Sequence, residues 1–436
     1  MGKRHLAVGT AAIVGLLLSA CTGNASQPGA AGPQTGGEIK GEITVLTNRT
    51  DLVDTDFVQY GKQFSAKYPG TSVKFEALAD YTQVNNRLTT GDYGDVLLIP
   101  DEVAQNQLST FFQPFGSVDE LNKTYRFVNE KAYDSKVYGL AMGGSAEGVA
   151  YNKRIWKQAG VTGTPTSPQQ FLDDLKAVKT KTAAIPYYTN YKDGWPLGIW
   201  NSQRGIMNSA AVTEQLTTDK APWTDGQIQG ITDGLLFDIV KGRLNEPDPV
   251  TTSWEQSKVM LATGKVSSML LGSWSVSQLK LAATKAGQSA DDIGFMPFPY
   301  QVGGAFHAQV DGDLKAAVSV HSKNTATARA WIDWFVKDSD YITKQGFIPT
   351  LRSQPLPTAL DSFQKTGVTL VDTPAIPSAV TVKLQNIIKS SEVDLTGPLY
   401  RRHLIDVARG AATGDKQSAF ADLNKKWAAA EGAPGS

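Results

Sequence analysis

The chain has 436 residues, 41% of them apolar, and carries 42 basic against 42 acidic side chains. It lacks the clustered basic charge that a nucleic-acid partner wants, and its single cysteine excludes a disulfide framework. The length exceeds what one hydrophobic core usually serves and predicts two domains.

Lys3, Arg4 and His5 precede an uncharged, largely apolar run from Leu6 to Leu18, the layout of a secretory signal. Thirteen residues is short for a bilayer span. The run ends in Leu18, Ser19, Ala20 and Cys21, which resembles the lipobox read by bacterial lipoprotein-processing enzymes. That resemblance implies cleavage after residue 20 and a diacylglycerol on the Cys21 sulfur. At roughly 0.8 kcal/mol per buried CH₂, two or three acyl chains anchor a protein stably. Loss of residues 1–20 removes Lys3 and Arg4 and no acid, leaving 40 basic against 42 acidic residues, a net charge of −2. Residues 22–37 carry no charge and no aromatic, so residues 21–40 read as a lipidated, flexible tether. No later apolar run approaches the length of a membrane span.

From Gly41 onward, strand and helix signals alternate. Glu42–Asn48 alternates like a strand, and the next segment offers Asp54 or Thr55 as a helix cap. Phe57, Tyr60 and Phe64 share one helical face ahead of a Pro69-Gly70 stop. "SVKFEAL" reads as a strand, "YTQVNNRLTTG" as a helix closed by Gly91, and Asp95–Ile99 as a buried parallel strand. The alternation predicts an α/β sheet with right-handed crossovers, whose ligands bind at the carboxyl ends of its strands. Those ends carry Asn48, Arg49 and Asp51, then Asp80 and Tyr81, then Asp101 and Glu102. All of them also suit helix capping and turn formation, Asp80 and Asp101 as well as they suit ligand contact.

Five of the nine tryptophans, Trp195, Trp200, Trp223, Trp254 and Trp274, fall within one stretch beside Tyr187, Tyr188 and Tyr191. A buried indole wants a partner for its N–H, so about half of these are expected in the core and the others along a groove. Ser253–Gly264 reads as a capped helix, "KVSSMLLG" as a strand and "SVSQLKLAATKAG" as a helix ending at Gly287. Asn324 is the expected cap of a helix with Trp331, Trp334 and Phe335 at core spacing. The last hundred residues look helical and broken by proline.

Six blocks in order, "FSAKYPGTSVKFEAL", "LTTGDYGDVLLIP", "KVYGLAMGGSAEGVAYNKRIWKQAGVTGTPTSPQQFLDDLKAV", "MLATGKVSSMLLGSWSV", "DIGFMPFP" and "SVHSKNTATARAWIDWFV", resemble the extracellular solute-binding proteins of carbohydrate ABC importers, the maltose-binding-protein-like family. The resemblance implies an α/β, two-lobed, periplasmic-binding-protein-like (type II) fold with a hinge of crossing strands and an interlobe cleft. It puts residues 41–145 plus 308–345 in one lobe and 146–307 plus 346–436 in the other. The crossings are expected near Gly144–Glu147 and Gly304–Asp311, with a return near Gly346–Arg352. Glycines 143, 144, 303 and 304 suit such a hinge.

The same resemblance implies no cofactor, no metal and no catalysis, with a sugar, a permease and a lipid-anchored membrane as partners of a monomer. A pyranose offers a C–H face to an indole and a rim of hydroxyls to carboxylates, amides and Arg. Trp274, in "GSW", matches the family's stacking position. Trp195 matches a second aromatic region, and Asn48, Arg49, Tyr81, Asp101, Glu102 and Asp311 are the polar contacts. Ile99 and Pro100 depart from the malto-oligosaccharide binders, so the resemblance implies no maltodextrin specificity.

Two alternatives stand beside it. The same fold takes polyamines or glycerol phosphates, and Asp80, Asp101, Glu102, Asp311 and Asp313 keep a polyamine in play. Ser277–Lys280, Ser322–Asn324 and Lys365–Gly367 occur in the order used by penicillin-binding serine enzymes, at intervals too short for the usual helical lobe. "GGSAEG" falls short of a nucleophile elbow at Glu147. His307, His321 and His403 lack metal-ligand spacing.

Overall fold

The computed structural model describes residues 37–78, 81, 83–100, 103–209 and 211–433. Cys21, Asp80, Asp101 and Glu102 lie outside the described residues.

The first lobe opens with strand β1 (Gly41–Thr47), helix α1 (Asp56–Lys67), strand β2 (Thr71–Ala77), helix α2 (Gln83–Thr90) and strand β3 (Val96–Leu98). β1 lies between β2 and β3, parallel to both. Phe57, Tyr60 and Phe64 of α1 are buried, as their spacing requires, and Gly70 turns the chain out of α1 with φ 87°.

Two long strands organise the rest. The first crossing strand is Leu140–Asn152 and the second is Ala305–Val318. They pair antiparallel from Val310 opposite Ala146 to Ala316 opposite Leu140, and the second also pairs with β3. Beyond that overlap the first continues between strands Ser268–Gly272 and Ile293–Met296. The second takes strand Thr369–Asp372 alongside it in parallel. Gly144 and Ile348 exchange backbone hydrogen bonds at the same level, so a third pass of chain meets the crossing there.

Apolar side chains form one cluster on the first lobe, including Ile43, Phe64, Trp331 and Phe335, and another on the second, including Trp156, Trp200, Trp223 and Trp427. A third, with Phe127, Ala146, Val310 and Ile348, sits under the crossing itself. This is the type II, maltose-binding-protein-like architecture. Among the described residues no helix is long and apolar enough to cross a membrane.

Two expectations change, and one strand had no expectation at all. Gly303 and Gly304 are not at the crossing: with φ 59° and 80° they make the two-residue turn between Gln301–Val302 and Ala305, where both central residues need positive φ. Gly143 and Gly144 are at the crossing, opposite Asp313 and Gly312, and a Cβ would stand 2.7 Å from that of Phe347 at the first and strike the Phe127 ring at the second. Asn324 precedes its helix (Thr325–Asp338), yet its side chain caps nothing and donates to the Glu42 carbonyl at 2.8 Å. Strand Thr369–Asp372, short and half exposed, gave no alternation strong enough to read.

Candidate functional site

Side chains alternate across a strand, and residues directly opposed in an antiparallel pair share a face. Asp311 opposes Ser145 and Asp313 opposes Gly143. Ser145 and Glu147 therefore share one face of the crossing with Gln309, Asp311 and Asp313, while Ala146, Val310 and Gly312 point at Phe127 on the other. The polar face is the floor of the site.

Asp311 accepts from Gln309 Nε2 at 2.8 and 3.0 Å and from the Thr373 hydroxyl. Glu147 is less well served: Ser145 Oγ stands 3.4 Å from its Oε1, and its buried Oε2 has no hydrogen-bond partner among the described residues. Burial pushes its carboxyl up to about 8, and the charge of Asp311 adds to the push. Burial likewise raises Glu130 to about 7 against the pull of Lys315, whose ammonium lies 2.9 Å away. Arg204 comes from the 3₁₀ helix Ile199–Met207, which lies so close to the second crossing strand that a Cβ on Gly205 would strike the Gln309 backbone. Burial pulls its guanidinium below its ordinary value, Asp311 opposes that, and its Nε has no hydrogen-bond partner among the described residues.

One end of this floor is walled by indoles. Trp195 opens a short helix (Trp195–Gly198) after Gly194, Trp254 opens the helix Trp254–Thr263, and Trp274 follows strand Ser268–Gly272 at the start of the helix Ser275–Lys285. Their ring centroids lie 5.4 Å (Trp195 to Trp254), 5.8 Å (Trp195 to Trp274) and 5.8 Å (Trp254 to Trp274) apart. The Asp193 carboxylate accepts from the Trp254 backbone N–H, and Arg402 holds the same loop through the Tyr191 and Lys192 carbonyls. Trp195 is 42% exposed, an unusual figure for so large an apolar ring. Gly272 opposes Glu147, and the space a Cβ would take there is filled by the Trp274 indole nitrogen and the Ser145 hydroxyl. Trp274 thus adjoins the acidic floor, and it also packs against the first-lobe cluster with Leu52 and Leu314.

The structure brings Trp195, Trp274 and Asp311 toward this region and gives other expected residues partners within the first lobe. Arg49 forks onto Asp51 at 2.9 and 2.8 Å and donates to the Tyr341 hydroxyl at 2.7 Å, so most of its donors are engaged. The Tyr81 hydroxyl accepts from the Leu98 N–H at 2.8 Å, and Asn48 is exposed at the end of β1. Sequence reasoning had Trp254 only as one of five tryptophans, some of them expected along a groove, and missed Glu147, Arg204 and Gln309. Of the five central tryptophans, Trp200 and Trp223 are core, the latter donating its N–H to Asp233 at 2.8 Å.

The pieces of a serine acyl-enzyme are not assembled. The Ser277 hydroxyl donates to the Trp274 and Gln345 carbonyls, each at 3.1 Å, and Ser322 donates to Asp95. Lys365–Gly367 ends a short helix and not the strand that chemistry needs. Among the described residues no three His, Cys, Asp or Glu side chains are arranged to hold a metal.

Two lobes on shared crossing strands, with a polar floor and an aromatic wall at their junction, define a binding protein of the type II class. The chain belongs to the bacterial extracellular solute-binding protein family, whose model matches residues 51–341. These are binding proteins and not enzymes. An ABC-transporter binding protein from Bifidobacterium animalis subsp. lactis in complex with mannobiose is 29% identical, with a TM-score of 0.81 over 90% of this chain and 95% of that one. A manno-oligosaccharide-specific binding protein of the same organism in complex with mannotriose is 29% identical, with a TM-score of 0.80 over the same shares. The multiple sugar-binding protein of Streptococcus mutans is 24% identical over 76% of this chain and 79% of its own length.

Proposed function

We propose that this protein captures a short oligosaccharide, of the kind its Bifidobacterium neighbours hold, in the cleft between its lobes and delivers it to an ABC-transporter permease. The observation that carries the reading is the joining of Trp195, Trp254 and Trp274 to the floor of Glu147, Gln309 and Asp311. Indole faces suit the C–H face of a sugar ring, and carboxylates and amides suit its hydroxyls in donor and acceptor pairs. A Glu147 carboxyl that holds its proton near neutral pH donates to a hydroxyl as readily as it accepts.

In this reading the lobes comprise residues 41–145 plus 308–345 and 146–307 plus 346–436. Trp195, Trp274 and Asp311 contact the sugar from the second lobe and the crossing. Asn48, Arg49, Tyr81, Asp101 and Glu102 border the cleft from the first lobe. Ligand favours the closed form only by its preference for that form. Cys21 carries the lipid that keeps a monomer at the extracytoplasmic face of the membrane.

Thermal melting of the full chain in detergent, against mannobiose, mannotriose, other oligosaccharides, spermidine and glycerol 3-phosphate, tests the ligand class. A sugar at 100 times its dissociation constant adds about 2.7 kcal/mol of stability, a shift of several degrees. A shift with spermidine or glycerol 3-phosphate and none with any sugar overturns the reading. Membrane fractionation of Cys21→Ser, with release into the medium expected, tests the anchor.

A further inference from the structure

Trp195 stands at the rim of the cleft on a helix of only four residues, Trp195–Gly198. A single turn of helix does not hold its own shape. The ring is largely open to solvent, so little core surrounds it to fix its place. Its order depends on the loop that leads to it, residues 190–194.

That loop is gripped from the C-terminal part of the chain. Helix Leu399–Ala408 is seated on the second-lobe core by Tyr400, Leu404 and Ile405. Arg401 turns inward from it and is fully buried against Asp233, 2.8 Å away. Arg402 turns the other way and is half-buried. Its Nε donates to the Tyr191 carbonyl at 2.9 Å and its Nη2 to the Lys192 carbonyl at 2.6 Å. The guanidinium carbon lies 5.6 Å from the Tyr191 ring centre, and the Tyr191 hydroxyl donates to Asp406 of the same helix at 3.0 Å. A guanidinium is the side chain whose rigid fork meets two acceptors at once. Here the fork meets two successive backbone carbonyls.

Gly194 is matched to this grip. Its φ is 80°, and a Cβ there would strike Arg402 Nη2 and stand 3.0 Å from that of Pro398. Glycine alone combines that backbone with so close an approach. The loop is tied on its other side as well: the Lys192 N–H donates to Thr252 Oγ1 at 2.8 Å, and Asp193 accepts from the Trp254 N–H. Trp195 emerges between these two attachments, against the Trp254 ring. Pro398, Arg402 and Asp406 all lie beyond residue 341, where the family match ends.

Resting on the oligosaccharide reading, we propose that Arg402 is a positioning residue for sugar binding, whose fork on the Tyr191 and Lys192 carbonyls holds Trp195 at the rim before ligand arrives. The loop backbone is then ordered in advance, and its ordering entropy does not weaken affinity.

Calorimetric titration of the full chain in detergent with mannobiose, or with another sugar if melting selects it, tests this. Arg402→Ala is expected to weaken binding about tenfold, the worth of about one charge-assisted hydrogen bond. Gly194→Ala, which drives the guanidinium off the carbonyls, is expected to match it. Arg402→Lys keeps the charge and loses the fork, and its affinity is expected to fall between that of Arg402→Ala and that of the unaltered protein. In a Trp195→Ala background, Arg402→Ala is expected to change affinity by less than about twofold, because a residue that acts through Trp195 then has nothing to position. Melting of each variant without sugar checks its folding. Unchanged affinity in Arg402→Ala, or an undiminished loss in the Trp195→Ala background, overturns the positioning role while the sugar reading stands. Binding of no sugar by the unaltered protein overturns both.

Discussion

In the first lobe Trp331 and Trp334, three residues apart on one helix, lie 5.4 Å apart centre to centre, with Phe64 5.3 Å from Trp331. At the cleft Trp195, Trp254 and Trp274 keep nearly the same separations, 5.4 to 5.8 Å. Ring geometry does not tell these groups apart. Origin does: the first pair rides one amphipathic face and is sealed on all sides, whereas the cleft trio comes from three separate loops, each placed where a helix begins. Three loops that converge leave an open rim, and Trp195 stands on it.

Truncation is the bluntest way to separate the two groups. Trp331→Ala is expected to cost about 3–5 kcal/mol of unfolding free energy in a denaturant titration, because a sealed ring leaves a cavity. Trp274→Ala is expected to cost much less stability yet weaken sugar binding by about 2 kcal/mol, roughly thirtyfold in Kd. If both variants lose stability alike and sugar binding survives in Trp274→Ala, the distinction between core and cleft fails.

The floor beneath Trp274 sharpens the comparison through pH. Glu147 has its folded value raised from 4.5 to about 8, so the folded state holds the proton more tightly than the unfolded one. Its stabilising contribution is whole below about pH 4.5 and is lost as pH climbs through about 8. The melting temperature of the unaltered protein should therefore fall across that window more steeply than that of Glu147→Gln, with the Glu130 share common to both. The mildest change, Trp195→Phe, keeps a stacking face at the rim and should cost below about 1 kcal/mol of binding and nothing measurable in stability.

Much of the fold was legible because its signals are local. Phe57, Tyr60 and Phe64 announce a helix face, Gly70 its end, and Trp331 with Trp334 a core helix. The candidate site was less legible because it depends on register. Glu147 reads as a broken nucleophile motif until the crossing opposes it to Gly272, and Trp254 reads as a helix start until Asp193 draws its loop toward Trp274. Arg49 looked free to meet a ligand, and its binding to Tyr341 nearly three hundred residues away is invisible to any local pattern. Gly303 and Gly304 looked like hinge residues since composition alone does not distinguish a hinge from a hairpin turn.

The crossing strands have a further consequence for how the molecule comes apart. Leu140–Asn152 and Ala305–Val318 each supply backbone pairing to both lobes, and the apolar cluster around Phe127 and Val310 spans the junction. Neither lobe can shed its central sheet without stripping the other, so melting is expected as a single calorimetric transition despite the two-lobed shape. Any ligand gripped at the junction then protects both lobes against heat and protease, including helices that never approach it.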